Sequence, residues 1–200
     1  MSKEGDKKRV IGVTGGLATG KTTVACLFSE KGAMKIDADA IGHRILKEDN
    51  NIKKRIIDLF GEKILTDANI DRVKLRQEVF LDAERLRKLN DIMHPAIIEC
   101  VREKINCFEE GTLLIDAPLL IETGLQEDVD VLIVVTASYE TQVKRVHERG
   151  LTEEEARKII NSQMPISEKL QFADYVIDND GDLNKTKEGV EELWHKMENL

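Results

Sequence analysis

Short apolar runs rich in valine and isoleucine alternate along this chain with stretches in which apolar residues recur at helical spacing. Runs of this kind predict buried strands, and their alternation with helices predicts a parallel sheet covered by helices. The predicted strands are Val10 to Thr14, a weaker run from Ala33 to Asp37, Leu113 to Asp116, Val129 to Val135, and Tyr175 to Asp178. We therefore expect an α/β fold.

The alternation is interrupted once, over residues 39–109, where the apolar spacing is helical throughout and no strand run appears. We expect a helical insertion domain here, between core segments 8–38 and 110–200. Charges in the insertion balance, with 14 Lys plus Arg against 14 Asp plus Glu, whereas the rest of the chain carries 16 against 24. On charge alone this is typical of a solvated helical bundle in which basic side chains are relatively concentrated.

Composition narrows the class of protein. The 200 residues are 41% hydrophobic and 34% charged, which is typical of a globular protein. A net charge of -8 argues against a surface for nucleic acid or an anionic membrane, because both favour a basic patch. No run is long enough for a membrane span or a signal peptide. The three cysteines lack the spacing of a zinc site, which indicates free thiols, so we expect a cytoplasmic protein.

A phosphate-binding motif follows the first predicted strand. Its pattern of Gly, four residues, Gly-Lys and Ser or Thr is matched by Gly15-Gly16-Leu17-Ala18-Thr19-Gly20-Lys21-Thr22. A helix is expected over Thr22 to Lys31, so that its unpaired amide groups and its dipole face the phosphates. Strand, loop and helix in this order predict a nucleotide site.

Each residue type in the motif has a physical reason. The glycines allow tight turns and close approach of phosphate oxygens, while the loop amides cradle the anion. Lys21 is expected to reach the β- and γ-phosphates of ATP and to act in catalysis. Thr22 is expected to ligate magnesium, and Thr23 to lie near the α-phosphate. The motif alone does not separate a kinase from a GTPase, an ATPase motor or a transporter subunit.

Acidic residues follow two predicted strands. If the chain stays extended after the second strand, Asp37 and Asp39 point to one side, toward the phosphate loop, and one can accept a proton from an attacking hydroxyl. The alternative is that Asp39 caps a helix beginning near Ala40. Asp116 ends an apolar run, as expected of a carboxylate that positions magnesium, and Pro118 prevents that strand from continuing.

A pair of helices with several arginines is predicted within residues 139–165. Thr152 followed by Glu155 forms a capping box that opens the second helix. The arginines are Arg145 and Arg149, on one face of the first helix, and Arg157 on the second. Such a pair is what a closing lid needs to neutralise phosphoryl charge and exclude water, although arginines on a solvated surface are the alternative.

With these features the chain resembles the dephospho-coenzyme A kinase family over nearly its whole length. The resemblance rests on the phosphate loop, on Asp37-Ala38-Asp39 and on a series of later motifs. These are Asp71-Arg72 with Val79-Phe80, Leu89-Asn90-Asp91-Ile92-Met93-His94-Pro95, Asp116-Ala117-Pro118-Leu119-Leu120-Ile121-Glu122, Gln163, Lys169 and Ala173-Asp174-Tyr175-Val176-Ile177-Asp178-Asn179. The family commonly has Gly-Ser at Ala18-Thr19 and Ser at Thr22. We expect little effect, because position 18 tolerates small residues.

The resemblance implies a P-loop core of five parallel strands like that of nucleoside monophosphate kinases, a helical substrate domain inserted after the second strand, and a lid. It implies ATP- and magnesium-dependent phosphorylation of the ribose 3′-hydroxyl of dephospho-coenzyme A, with Asp39 as the base. Asn179 and Gly181 would lie beside the adenine. Besides Asp39, the acceptor side would include Arg72, His94, Pro118 and Leu119. For His94, a role as a buried structural histidine is an alternative that fits nearly as well.

Two other functions stay open at this point. One is phosphorylation of another small molecule, such as a nucleoside monophosphate, on the same core. The long helical insert argues against it. The other is a nucleotide-dependent ATPase or switch without a phosphate acceptor, against which Asp39 and the lid arginines weigh. We expect a small-molecule substrate, no nucleic-acid or membrane partner, and a monomer or weak homo-oligomer.

Overall fold

The computed structural model describes residues 7–80, 82–148, 150, 152–161 and 163–198. Its strands are β1 (Arg9–Gly15), β2 (Met34–Asp37), β3 (Leu65–Thr66), β4 (Asn69–Ile70), β5 (Thr112–Asp116), β6 (Val131–Thr136) and β7 (Tyr175–Asp178). Its helices are α1 (Lys21–Glu30), α2 (Ala38–Glu48), α3 (Asn50–Phe60), α4 (Arg72–Phe80), α5 (Ala83–Cys107), α6 (Tyr139–Glu148), α7 (Glu153–Asn161), α8 (Ile166–Lys169) and α9 (Leu183–Glu198). None of the described helices is both long and apolar enough to cross a membrane.

The chain divides into two compact units. The core unit comprises Met1–Asp37 with Ile105–Leu200, and the insert unit comprises Ala38–Lys104. In the core unit five strands form one sheet in the order β2-β5-β1-β6-β7, and every neighbouring pair is parallel. The predicted α/β fold with a five-stranded parallel sheet is confirmed. Because parallel strands end at one edge, the loops that follow these strands meet at that edge of the sheet.

One apolar cluster joins α1 and α9 to the sheet. Ile11 and Val13, at alternate positions of β1, contribute to this cluster because alternate side chains share a face of the sheet. Phe28 of α1 is fully buried, and its ring lies 6.3 Å from that of Trp194 on α9. Burial of α1 along this face fixes the position of its first residue, Lys21.

Two aspartates that directly precede β6 and β7 form hydrogen bonds to the neighbouring strand. The Asp130 carboxylate accepts a hydrogen bond from the Val10 amide at 2.7 Å, and the Asp130 amide donates to the Val10 carbonyl at 2.8 Å. Asp174 pairs with Leu132 in the same two ways, at 2.7 and 2.9 Å. The predicted start of the fourth strand at Val129 is therefore wrong. The Asp130 carboxylate accepts from the Val10 amide in place of a backbone carbonyl, and β6 begins at Val131, which pairs with Ile11.

The prediction that residues 39–109 contain helices only is also wrong. β3 and β4 form a small antiparallel hairpin in which Thr66 faces Asn69. The two residues at its tip, Asp67 and Ala68, have φ of 49° and 60°, as in the type I′ turns that join two-residue hairpins. Strands of two residues are too short to produce a recognisable apolar run.

The insert unit has its own apolar core. Its fully or nearly fully buried members are Ile52, Ile56, Phe60, Ile64, Leu75, Val79 and Ile92. Three of them lie on α3 at spacings of four residues, so one face of this helix is buried. The Asp49 carboxylate caps α3 by accepting hydrogen bonds from two amides of its first turn, each at 2.9 Å.

The insert core predicts a difference between two apolar residues of α3. Ile56 is fully buried, whereas Leu59 is 39% exposed. Ile56→Ala is expected to lower the free energy of unfolding by about 2–5 kcal/mol, because a cavity remains where the side chain was. The control Leu59→Ala is expected to cost less than about 1 kcal/mol. Urea unfolding followed by circular dichroism measures both, and equal losses would contradict this assignment of the buried face.

Candidate active site

The phosphate loop lies between β1, which ends at Gly15, and α1, which begins at Lys21. The predicted order of strand, loop and helix is confirmed. Thr19 turns the loop back on itself, because its amide and its hydroxyl both donate to the Gly16 carbonyl, at 3.4 and 3.0 Å. A Cβ at Gly15 would lie 2.6 Å from the Val135 carbonyl oxygen. The close approach of β6 therefore requires glycine at this position.

Two loop residues have left-handed backbone conformations. Gly20 has a φ of 89°, and Ala18 has a φ of 57°. An L-residue in this region costs roughly 1–2 kcal/mol, a cost that glycine avoids. The sequence predicts that position 18 tolerates alanine because the residue is small. The structure gives a different reason for the glycine that is common in the family, since the constraint on residue 18 is its backbone conformation.

Two side chains that are distant in sequence donate hydrogen bonds to backbone carbonyls of the phosphate loop. Asn179 is buried, and its amide donates to the Thr19 carbonyl at 2.8 Å while its oxygen accepts from the Thr186 hydroxyl at 2.8 Å. The Arg145 guanidinium donates to the carbonyls of Ala18 and Thr19, both at 3.2 Å, and to that of Asn179 at 2.9 Å. Both predicted site residues therefore support the loop, while their action on ATP stays a prediction.

A group of charges lies at the carboxyl edge of the sheet. The Lys21 ammonium pairs with Asp116 Oδ1, and the Asp116 side chain is only 3% exposed. Lys35 Nζ lies 4.0 Å from Asp116 Oδ2 and 3.8 Å from Asp37 Oδ2, since register places these two aspartates side by side. The structure thus brings together the predicted Lys21 and Asp116. It adds Lys35, whose signal in the sequence is a lysine between the two apolar residues of a predicted strand.

Asp39 does not continue the strand. β2 ends at Asp37 and α2 begins at Ala38, so the expectation of an extended chain through both aspartates is wrong. The alternative, a helix beginning near Ala40 with Asp39 as its cap, is wrong as well. Asp39 lies in the first turn of α2 and is exposed. A carboxylate at this end of a helix interacts favourably with the helix dipole.

A buried lysine secures the segment that follows Asp116. Lys169 is fully buried, and its ammonium donates to the Pro118 carbonyl at 2.6 Å and pairs with Glu122 Oε1 at 2.9 Å. The Thr14 hydroxyl donates to the same Pro118 carbonyl at 3.1 Å, and Glu122 also accepts from the Met164 amide at 2.9 Å. These contacts join the end of β1 and the segment after β5 to α8 and to the residues just before it.

Burial lowers the pKa of the Lys169 ammonium below its ordinary value, the Glu122 carboxylate opposes this change, and the charge of Lys21 adds to it. A buried ammonium is retained only where hydrogen bonds and an opposite charge satisfy it. In the sequence, Lys169 and Glu122 belong to family motifs without a role of their own. Their contact spans 47 residues of sequence, so no local spacing could reveal it.

The predicted pair of lid helices corresponds to α6 and α7. The capping box is confirmed, because the Thr152 amide and hydroxyl each donate to Glu155 Oε2 at 2.9 Å and the Glu155 amide donates back to the Thr152 hydroxyl at 3.3 Å. Gly150, with a φ of 75°, ends the turn after α6. Arg157 is exposed on α7. Arg149 lies outside the described residues.

The other predicted residues lie at several places in the two units. In the core unit Thr22 and Thr23 are exposed in the first turn of α1, Pro118 and Leu119 are half-buried after β5, and Gly181 follows β7. In the insert unit Arg72 lies at the start of α4, and His94 is half-buried within α5. The three cysteines, Cys26, Cys100 and Cys107, are free thiols as predicted.

The phosphate loop at the carboxyl edge of a five-stranded parallel sheet defines a P-loop nucleotide-binding protein. The family model for Dephospho-CoA kinase matches residues 9–185. The chain therefore belongs to the dephospho-CoA kinase family, and the predicted resemblance is confirmed.

Individual relatives agree with this assignment. A dephospho-CoA kinase from Aquifex aeolicus is 40% identical over 190 residues, which cover 94% of this chain and 96% of the relative. Among solved structures, the dephospho-CoA kinase from Campylobacter jejuni is 28% identical with a TM-score of 0.71, covering 96% of this chain and 98% of its own. A crystal structure of a Thermus thermophilus protein is 31% identical with a TM-score of 0.79, at the same coverage of both chains.

The loop geometry predicts unequal effects for two glycines at opposite ends of α1. A Cβ on Gly20 would lie 1.8 Å from the Asn179 amide nitrogen, whereas one on Gly32, whose φ is 110°, would meet no atom within 4 Å. Gly20→Ala must displace the amide that holds Thr19, so ATP affinity is expected to fall by about tenfold or more. Gly32→Ala is expected to cost roughly 1–2 kcal/mol of stability from backbone strain alone.

Calorimetry of ATP binding and urea unfolding separate these two effects. Gly32→Ala is the matched control, because it carries the same type of backbone strain without the clash. If it weakened ATP binding as much as Gly20→Ala, strain in α1 would explain both results and the role of the Asn179 contact would be refuted.

Proposed function

We propose that this chain transfers the γ-phosphate of ATP to the ribose 3′-hydroxyl of dephospho-CoA, the last step of coenzyme A biosynthesis. The observation that carries the proposal is the ion pair of Lys21 with Asp116 beside the phosphate loop, in a chain of this family. Transfer to an alcohol requires positioning and neutralisation of charge more than covalent chemistry by the protein. Loop amides, lysines and carboxylates at one edge of a sheet meet that requirement.

In the proposed first step of nucleotide binding, Lys21 exchanges its Asp116 partner for phosphate oxygens. In the phosphate loop, amides and the α1 dipole attract the triphosphate, and the Lys21 ammonium moves from the Asp116 carboxylate to the β- and γ-phosphate oxygens. Asn179 and Gly181, in the loop after β7, lie on the side proposed for adenine. Because Arg145 bonds to the backbone on both sides of this site, it keeps the loop in shape as the phosphates bind.

Magnesium fits the donors that this arrangement offers. The Asp116 carboxylate is nearly buried at the end of β5, and the Thr22 hydroxyl lies in the exposed first turn of α1. Both are hard oxygen donors, and proteins commonly hold magnesium through one or two such groups together with substrate phosphates. When bound, the ion neutralises phosphate charge during transfer.

Asp39 is proposed as the base that accepts the proton of the acceptor's 3′-hydroxyl. It is exposed at the start of α2, where solvent and a substrate can reach it. A positioned carboxylate of this kind contributes to transfer by general-base catalysis. The lid arginines, Arg145, Arg149 and Arg157, are proposed to balance charge that develops on the transferred phosphoryl group.

The insert unit, which the sequence predicts as a domain of residues 39–109, is proposed to bind the acceptor. Arg72 and His94 in this unit, together with Pro118 and Leu119 after β5, are the residues proposed for acceptor contact. Three free thiols in the chain favour a reducing compartment, and we place the protein in the cytoplasm. A monomer or weak homo-oligomer that binds only small molecules suffices for this function.

Acceptor choice tests the proposal directly. Purified protein is incubated with Mg-ATP and either dephospho-CoA, AMP or no acceptor, and the formation of ADP is measured. Rapid ADP formation is expected only with dephospho-CoA, and ³¹P NMR of the product is expected to identify a ribose 3′-phosphate. Equal turnover with AMP, or turnover without an acceptor, would support the alternative functions instead.

Asp39→Asn tests the proposed base. The substitution keeps the size of the side chain and removes its basicity, so kcat is expected to fall roughly 10²–10⁴-fold while the protein stays folded. Asp37→Asn is the comparison, because Asp37 precedes Asp39 by two residues and its carboxylate lies 3.8 Å from Lys35. Normal turnover combined with a lower Tm for Asp39→Asn would make Asp39 structural and leave Asp37 as the next candidate.

A further inference from the structure

A groove of about 410 Å³ lies within the insert unit. Its lining includes three cations, one imidazole and two apolar side chains. They are Lys47, Lys53, Arg72, His43, Leu46 and Ile70. Of these residues, the sequence assigns a role only to Arg72. The groove draws on α2, α3, α4 and the β4 strand, so the fold brings together basic residues that are scattered along the chain.

The positive charge of the groove is not compensated. None of its three cations forms a salt bridge with a described carboxylate, and no described carboxylate lines the groove. The two nearest aspartates in sequence, Asp49 and Asp71, instead cap helices. Asp49 accepts from the amides at the start of α3, and Asp71 accepts from those at the start of α4. In a chain with a net charge of -8, such a groove favours an anionic ligand.

The Asp71 carboxylate is held by several donors. The Thr66 hydroxyl lowers its pKa most, and the Lys74 and Val73 amides also act in that direction. The Asp71 carboxylate is therefore already hydrogen-bonded to the first turn of α4 and to the hairpin of β3 and β4. The adjacent Arg72 guanidinium is left available to a ligand in the groove.

Helix α2 connects the groove to the proposed base. Asp39, His43 and Lys47 follow one another at intervals of four residues, so they lie along one face of the helix. With a rise of about 1.5 Å per residue, His43 lies about 6 Å and Lys47 about 12 Å along the axis from Asp39. In a nucleotide acceptor, one ribose ring separates the 3′-hydroxyl from the 5′-phosphates. An acceptor whose hydroxyl is at Asp39 can therefore reach the groove with its phosphates.

We propose that this groove binds the 5′-diphosphate of the acceptor, with Lys47, Lys53, Arg72 and His43 as its donors. The proposal rests on the function proposed above and adds the site that selects a diphosphate-bearing acceptor. Lysine and arginine form charge-assisted hydrogen bonds with phosphate oxygens. The apolar side chains of Leu46 and Ile70 offer contact to the arm that continues beyond the diphosphate.

Lys47→Met and Lys53→Met test the groove in the full-length protein. Each is expected to raise the KM for dephospho-CoA about tenfold, the equivalent of one hydrogen bond between charged groups, and to leave the KM for ATP unchanged. Lys54→Met is the matched control, because Lys54 is the exposed neighbour of Lys53 on α3 and does not line the groove. It is expected to leave both KM values unchanged.

A second measurement identifies the phosphate as the bound group. 4′-Phosphopantetheine and pantetheine differ by one phosphate and are compared as inhibitors competing with dephospho-CoA. The phosphorylated compound is expected to inhibit the unmodified enzyme more strongly, and Lys53→Met is expected to remove this difference. Persistence of the difference in Lys53→Met would overturn the proposal.

Unchanged KM values for dephospho-CoA in both Lys47→Met and Lys53→Met, or an equal rise in Lys54→Met, would also overturn it. These outcomes leave the proposed function standing, because dephospho-CoA is still phosphorylated. The proposed function fails by a different result, namely that the unmodified protein does not phosphorylate dephospho-CoA.

Discussion

Pairing of charges at the carboxyl edge of the sheet is the constraint on which the phosphate site depends. Lys21 pairs with Asp116, and Lys169 pairs with Glu122, with both ammonium groups largely or fully removed from solvent. A buried charge without its partner is strongly destabilising, so each lysine fixes the backbone that carries its carboxylate. Because Asp116 ends β5 and Lys21 begins α1, their ion pair ties two central elements of the fold to the loop that receives phosphate.

The same pairing explains why nucleotide and metal binding would depend on each other. If the Lys21 ammonium turned to phosphate oxygens as proposed, the nearly buried Asp116 carboxylate would lose its closest counter-ion, and Lys35 at 4.0 Å would compensate only in part. Asp116 and Thr22 would hold a magnesium ion through oxygen donors, and such an ion would supply positive charge to the Asp116 carboxylate and to the phosphates. Burial is the main reason why the Lys169 pKa is lowered, and repulsion by Lys21 adds to it. Phosphate bound at Lys21 would offset this smaller contribution.

The features that could be predicted are those that a contiguous stretch of sequence determines. The phosphate loop is contiguous and flanked by its own strand and helix, so its position and the central strands follow from the order of the residues alone. The supports of that loop do not. Asn179 bonds to Thr19 across 160 residues and Lys169 bonds to Pro118 across 51, and no spacing pattern encodes such contacts. The hairpin of β3 and β4 escapes prediction for another reason, since two-residue strands lack a periodic signal.

The start of α2 shows how a small error in an element boundary changes the interpretation of a site. An extended chain would have made Asp37 and Asp39 neighbours on one side of a strand. A helix that begins at Ala38 instead places Asp39 on a face with His43 and Lys47. The proposed base and the basic groove then share one rigid element, and the helix rise sets the distance between them. Specificity for a diphosphate at one end and reaction at the other would follow from that single helix.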